Sequence, residues 1–392
     1  VRVGGLWAVV VTDVLQFVIL TAAVLIVVPL SFDKVGGVSE FINATPEGFF
    51  SLFNGEYTVV FIIAFCFYNL FFLGGNWSYV QRYTTVKTVK DAKKVGWLFG
   101  ALYLVCPVLW MLPPMIYRVL NPELSGLADE GAYLLMCKEA LPSGLLGLML
   151  GGMIFATASS LNGTLNISAG VFTNDIYKRL FPATSEAKLM KIARFSTIGF
   201  GLLAIVVALL IPLMGGIVNV VISIAALTGV PLYLPIIWTL FSKHQTTGSV
   251  MTATLLSLAL NAFFKFVTPY AFDFAFVRAE EMLTGVLFPI IILTVWEIYA
   301  RFRKIEDERH QSSLVADNAN VVAEESSSSD NSQSLKVIGI GIGASGVLIL
   351  GLGLLADTGQ LIVAAIASVL ILIGGFCLYL SLIHISEPTR LR

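Results

Sequence analysis

The chain has 392 residues, of which 57% are hydrophobic and 12% charged, and a formal net charge of −1. Its mean hydropathy is +0.87, and a water-soluble domain of this size needs far more polar surface, so bilayer helices are the first assignment. The near-zero charge says nothing about partners, and no nucleic-acid partner is expected. Cys66, Cys106 and Cys377 fall in apolar runs and Cys137 in a loop; with no disulfide framework or metal-ligand spacing they read as packing residues.

Apolar runs of about 20 residues match a hydrocarbon core roughly 30 Å thick. They predict an all-α polytopic membrane protein with ten spans, in order Leu6 to Leu30, Thr58 to Tyr79, Val95 to Tyr117, Leu145 to Thr173, Ser196 to Met214, Ile217 to Phe241, Ser249 to Phe266, Met282 to Ala300, Val337 to Ala356 and Leu361 to Leu380. Met214-Gly215-Gly216 is so tight a junction that the spans on either side should form an antiparallel hairpin. Val1 stands within a few residues of an apolar helix, with no start methionine or leading loop, so something upstream is expected to be missing. Ser381 to Arg392 turns abruptly polar and resembles translated sequencing-adapter read-through, so residues 381–392 are set aside as a non-native tail.

Connections between spans alternate in charge. Arg82, Lys87, Lys90, Lys93 and Lys94 fill one; Lys178, Arg179, Lys188, Lys191 and Arg194 another; then come Lys243, and Arg301, Arg303, Lys304 and Arg309. The intervening connections carry only Lys34, Arg118 with Lys138, and Arg278. Lysine and arginine near helix ends mark the cytoplasmic side, which places both ends of the chain inside. The polar, serine-rich stretch Glu306 to Ser334 reads as a disordered cytoplasmic linker before the last two helices.

Three places carry chemistry. Asp13 is read as the only carboxylate well inside an apolar span, where a charge costs at least about 2.5 to 3.5 kcal/mol on insertion scales; it faces either an ion path or the headgroups. In the fourth span Ala156, Ser159 and Ser160 fall at i, i+3 and i+4, so a backbone carbonyl and two hydroxyls share one helical stripe. Neutral oxygens suit a monovalent cation that must also leave again, and sodium fits; close helix packing by small residues is the alternative. The second span contains Asn69-Leu70-Phe71-Phe72-Leu73-Gly74-Gly75-Asn76-Trp77. Paired glycines weaken the helix, and such interruptions are where secondary transporters expose backbone to solute; helix packing is again the other reading. Pro107, Pro113 and Pro114 in the third span, and Pro231 and Pro235 in the sixth, imply kinks whose freed carbonyls protein or water must satisfy.

At these residues the sequence resembles the sodium:solute symporter family. The resemblance lies in GGLWAVVVTDVLQ at Gly4 to Gln16, NLFFLGGNWSYVQRY at Asn69 to Tyr83 and ATASSLNGTLNISAGVFTNDIYK at Ala156 to Lys178, and covers the chain to about Lys265. It implies a LeuT-type fold of two inverted repeats that here lacks its first four core helices. Residues 1–30 would be the last helix of the first repeat and 58–241 the second repeat. Residues 249–300 would be peripheral helices, 301–335 the linker and 336–380 two C-terminal helices. Ala156, Ser159 and Ser160 match half of the family's principal sodium site, the other half being carbonyls of a first core helix that this chain lacks. Asp13 matches the acid of a second cation site in several members. The hydroxyl pair that completes that site there reads Asn162 and Gly163 here, so a second sodium would rely on the Asn162 amide oxygen. Asn69 matches a sugar-contacting amide, and Phe72 an aromatic gate that is tyrosine in sugar carriers. With Gly74, Gly75 and Asn76 they form the expected solute set. Two further sugar contacts fall on Tyr103 and Ala225, which do not replace them, so no particular sugar is assigned.

The leading expectation is sodium-coupled symport of a small organic solute, a sugar, carboxylate or amino-acid-like molecule, by alternating access across the plasma (bacterial inner) membrane. Sodium, the solute and the lipid bilayer are the expected partners. The competing reading is a transporter-like sensor domain of a signalling protein. An enzyme would need a nucleophile with a partner at membrane depth, and none is found; His244, His310 and His384 lie in loops or the tail.

Overall fold

The computed structural model describes residues 5–86, 88–303, 305, 332–356 and 358–386. Among them the regular structure is helical throughout. In chain order the helices are α1 (Gly5–Val35), α2 (Val38–Ala44), α3 (Val59–Gly75), α4 (Trp77–Thr84), α5 (Val89–Leu120) and α6 (Ala132–Ala140). There follow α7 (Ser143–Leu180), α8 (Glu186–Met214), α9 (Ile217–Trp238), α10 (Thr247–Ala271) and α11 (Arg278–Arg303), then α12 (Ser332–Leu354) and α13 (Gln360–Ser386). Among the described residues nine helices are long and apolar enough to span a bilayer, or ten when α3 and α4, bent by 50° at Asn76, count as one broken span.

Some spans extend beyond their expected ends because helices outrun their apolar stretch: α1 continues to Val35 and α5 begins at Val89, whereas α9 stops at Trp238 and α12 at Leu354, short of the expected Phe241 and Ala356. Residues 301–303 complete α11 and 332–335 open α12, so helix enters both ends of the predicted linker, while 306–331 lie outside the described residues. Of the suspected tail, 381–386 continue α13 and 387–392 lie outside the described residues. Short helices α2 and α6 were not expected; seven and nine residues long, they are too brief to register as spans. Gly215 and Gly216, at φ 89° and 96°, supply the positive-φ backbone of the two-residue junction between α8 and α9.

The chain divides into two compact units. Unit 1 comprises residues 1–47, 99–206 and 328–392. In it α1 packs on α6, α7 and the α12–α13 pair. Glycines permit this closeness: a Cβ on Gly152 would lie 3.0 Å from Leu20, and one on Gly346 would lie 3.0 Å from the Ala367 carbonyl.

Unit 2 comprises residues 48–98 and 207–327. Its core gathers Phe61 and Ala64 of α3, Ala226, Val230 and Leu234 of α9, Ala253 of α10 and Met282, Val286 and Leu293 of α11. The three prolines of α5, which fall in unit 1, lie inside a continuous helix. In α9, by contrast, Pro231 follows a π-helical turn at Ala225–Gly229. Proline has no N–H for the carbonyl four residues back, and that carbonyl, Leu227 O, instead accepts from Asn261 Nδ2 of α10 at 3.1 Å. The π turn is accommodated by Gly285 of α11, where a Cβ would fall 2.2 Å from the Ala226 carbonyl.

Candidate functional site

The sodium candidates lie in unit 1. Asp13 is half-buried near the start of α1, and its carboxylate accepts a hydrogen bond from the Ser159 hydroxyl of α7. Ala156 and Ser159 are half-buried on one stripe; Ser160, a residue further round the helix, is exposed. Two residues expected in separate cation sites, Asp13 and Ser159, are thus in direct contact. Asn162 is exposed, and its Oδ1 accepts from Asn166 at 3.5 Å on its own helix.

Every polar group in the Asp13–Ser159 pair is oxygen, and Ala156 adds a carbonyl one turn away. Such a set offers hard, anionic and neutral donors to a hard cation. Among the described residues no cluster of histidine, cysteine and acid suits a transition metal.

The solute candidates lie in unit 2, around the break between α3 and α4. Gly75 ends α3, Asn76 takes an extended conformation (φ −74°, ψ 120°), and its side-chain oxygen caps α4 by accepting from the Ser78 N–H at 2.9 Å. Its Nδ2 donates to the Tyr233 hydroxyl of α9 at 3.3 Å. Both ends of the Asn76 amide are therefore engaged in holding the break open. Phe72 packs against Tyr68, 5.5 Å between centroids, and edge-on to Tyr79 and Tyr233 at 5.9 and 5.4 Å. Asn69 donates through Nδ2 to the Phe65 carbonyl of its own helix at 2.8 Å. Gly75 lies against the Tyr233 backbone and Gly74 against the Ile237 side chain, so the paired glycines serve the close approach of α3 to α9 as well as the break.

Two residues escaped the sequence reading. Tyr233, between Pro231 and Pro235, completes the aromatic ring around Phe72; its one signal was a polar tip in an apolar run. Glu297 is a second carboxylate buried within a span, 9% exposed. It accepts from Ser242 at 2.5 Å, Gln245 at 3.3 Å and Arg301 at 3.2 Å. Asp13 is therefore not the only acid inside an apolar span. Three donors satisfy Glu297, which makes it a tie between α11 and the turn before α10.

The model of the sodium:solute symporter family matches residues 1–256. The chain belongs to this family. It is 30% identical over 325 residues to the sodium/glucose cotransporter of Vibrio parahaemolyticus, covering 74% of this chain and 58% of that protein. It is 27% identical over 272 residues to a sodium/sialic acid symporter of Proteus mirabilis (strain HI4320), covering 65% and 55%. A solved Na⁺-coupled sialic acid symporter, described as substrate-bound and outward-open with a novel Na⁺ site, superposes with a TM-score of 0.57 at 25% identity, covering 76% of this chain and 63% of that one. The fold class is accordingly the all-helical LeuT type. The chain spans somewhat more than half the length of the relatives it matches.

Proposed function

We propose that the complete protein is a sodium-coupled symporter that moves a small organic solute of the sugar or sialic acid kind into the cell by alternating access. In this reading the membrane is the plasma membrane, in a bacterium the inner one, and the lysine- and arginine-rich connections lie in the cytoplasm. The observation that supports it most is the hydrogen bond between Asp13 and Ser159, which gathers a carboxylate, a hydroxyl and the Ala156 carbonyl on helices at apolar depth. An acid in such a place faces a bundle interior or an ion path. Sodium is the cargo these oxygens suit, and Asp13 supplies the counter-charge to the same cation that Ser159 and Ser160 coordinate.

The solute set is Asn69, Phe72, Gly74, Gly75 and Asn76, with Asn76 acting through the shape of the break rather than by direct contact. Discontinuous helices of this kind form the binding sites of secondary transporters. The relatives quoted above are named as transporters and lend nothing to a sensor reading. Reconstitution of the complete protein in liposomes tests the proposal: an inward sodium gradient should drive accumulation of glucose or sialic acid, and a potassium gradient should not. Equal uptake under the two gradients overturns it.

A further inference from the structure

In unit 2 the amide of Asn261 is held in one orientation. Its neighbours Leu227 O and Ala226 O, at 3.1 and 3.4 Å, can only accept, so Nδ2 faces them. Oδ1 must then point the other way, where it is buried with no protein partner; the residue is 6% exposed. An orphaned buried acceptor in a native fold calls for an explanation.

Asn261 lines a cavity of about 10 Å³ together with Ser223, Lys265, Glu281 and Thr284 and apolar neighbours. That is room for about one oxygen-sized group. Lys265 Nζ donates to Glu281 Oε2 at 2.7 Å and to Ser223 Oγ at 3.2 Å, which engages two of the three donors of an ammonium. The group that fits must donate to Asn261 and accept from Lys265. A carboxylate cannot donate, an ammonium cannot accept, and a bare cation is repelled by Lys265. A hydroxyl does both.

Ser223, Lys265 and Glu281 also line a second cavity of about 540 Å³, bounded further by Glu56, Asn219 and Arg278. This volume lies within the range of small-molecule sites, roughly 300 to 1,000 Å³. Its two cations each face an acid, Lys265 with Glu281 and Arg278 with Glu56 at 2.8 Å, so the cavity selects for polar groups rather than for net charge. By the orientation proposed above it opens at the outer face.

We propose that the two cavities form an outer subsite for a small polyhydroxylated solute, one hydroxyl of which enters the niche between Asn261 and Lys265. The solute class rests on the transport reading; the niche and its hydroxyl preference do not. Water shares the hydroxyl chemistry, and the test separates the two sources.

The complete protein in lipid nanodiscs, with sodium replaced by N-methylglucamine, is titrated with glucose and with sialic acid and followed by saturation-transfer NMR. Asn261→Leu removes the acceptor, and Ser223→Leu fills the wall between the cavities; thermal unfolding identifies a variant that fails to fold, in which case the other decides. The expected result is sodium-independent binding of at least one probe, weakened about tenfold or more in the folded variants, as for a site that loses a hydroxyl partner. No sodium-independent binding, or binding unchanged in a folded variant, overturns the subsite and leaves the niche to water. Sodium-driven uptake by the unmutated protein is measured separately. Its absence beside intact sodium-free binding would sink the transport reading and leave the subsite standing.

Discussion

The hydroxyl of Ser159 is bonded to the carboxylate of Asp13, a residue 146 positions away in sequence. One oxygen cluster thus contains the acid and a hydroxyl that motif matching alone would divide between two ions. Asp13→Asn keeps the shape and removes the charge, so sodium should bind more weakly while packing is retained. Uptake by the complete protein across sodium concentrations should show half-saturation raised about tenfold or more, equivalent to about 1.4 kcal/mol, with little change in expression. A sodium dependence identical to that of the parent would place Asp13 outside the ion path.

Ser159 and Ser160 differ in what they touch, and their alanine variants should differ accordingly. Ser159 is half-buried and bonded to Asp13; Ser160 is exposed among the described residues. Alanine is well tolerated in helices, so neither substitution should impair insertion. Both should raise the sodium half-saturation, Ser159→Ala the more because it also removes a hydrogen bond to Asp13. Equal shifts would mean that the Asp13 contact is irrelevant to sodium, and no shift in either would remove the site from α7.

Much of this was legible because it is written locally. The Gly74-Gly75 pair marks the break at Asn76, Gly215-Gly216 the end of α8, and Pro231 a carbonyl needing a partner, each within a few residues of its effect. What fills those needs comes from distant chain. Nothing in the spacing says that Asn261 will serve the Leu227 carbonyl, that Tyr233 will receive the Asn76 amide, or that Asp13 will meet Ser159. Glu297 was overlooked because it sits three residues inside the predicted end of its span, where an acid passes for interfacial until Ser242 and Gln245 are seen to cover it.

Cys137 of α6 offers a pH test. It is fully buried, and burial pushes its thiol up to about 11, against the smaller downward pull of the Tyr133 hydroxyl. At pH 8 only about one thiol in a thousand is then ionised, because each unit is a factor of ten, and the thiolate is the reacting form. A water-soluble maleimide should leave Cys137 unmodified in the folded protein at pH 8 and modify it after denaturation, as peptide mass spectrometry would read. Rapid labelling of the native protein would show that α6 opens.

The glycines at the break make opposite predictions. A Cβ on Gly75 would lie 2.7 Å from Tyr233 Cβ and 3.1 Å from the Tyr233 carbonyl, so backbone as well as side chain stands in the way. Gly75→Ala can be accommodated only by parting α3 from α9, an overpacking cost of about 1 to 3 kcal/mol. One residue earlier, a Cβ on Gly74 meets only the Ile237 Cδ1 at 3.4 Å, an ordinary contact with the mobile end of a side chain. Gly74→Ala should therefore be neutral, or slightly stabilising through the helix preference of alanine, worth up to about 1 kcal/mol and less near a helix end. Thermal unfolding of the two variants in the same detergent decides between packing and flexibility as the reason for the pair. If Gly75→Ala lowers the midpoint and Gly74→Ala does not, the second glycine is there for contact with Tyr233. If both lower it alike, the pair is there for a backbone freedom that any side chain removes.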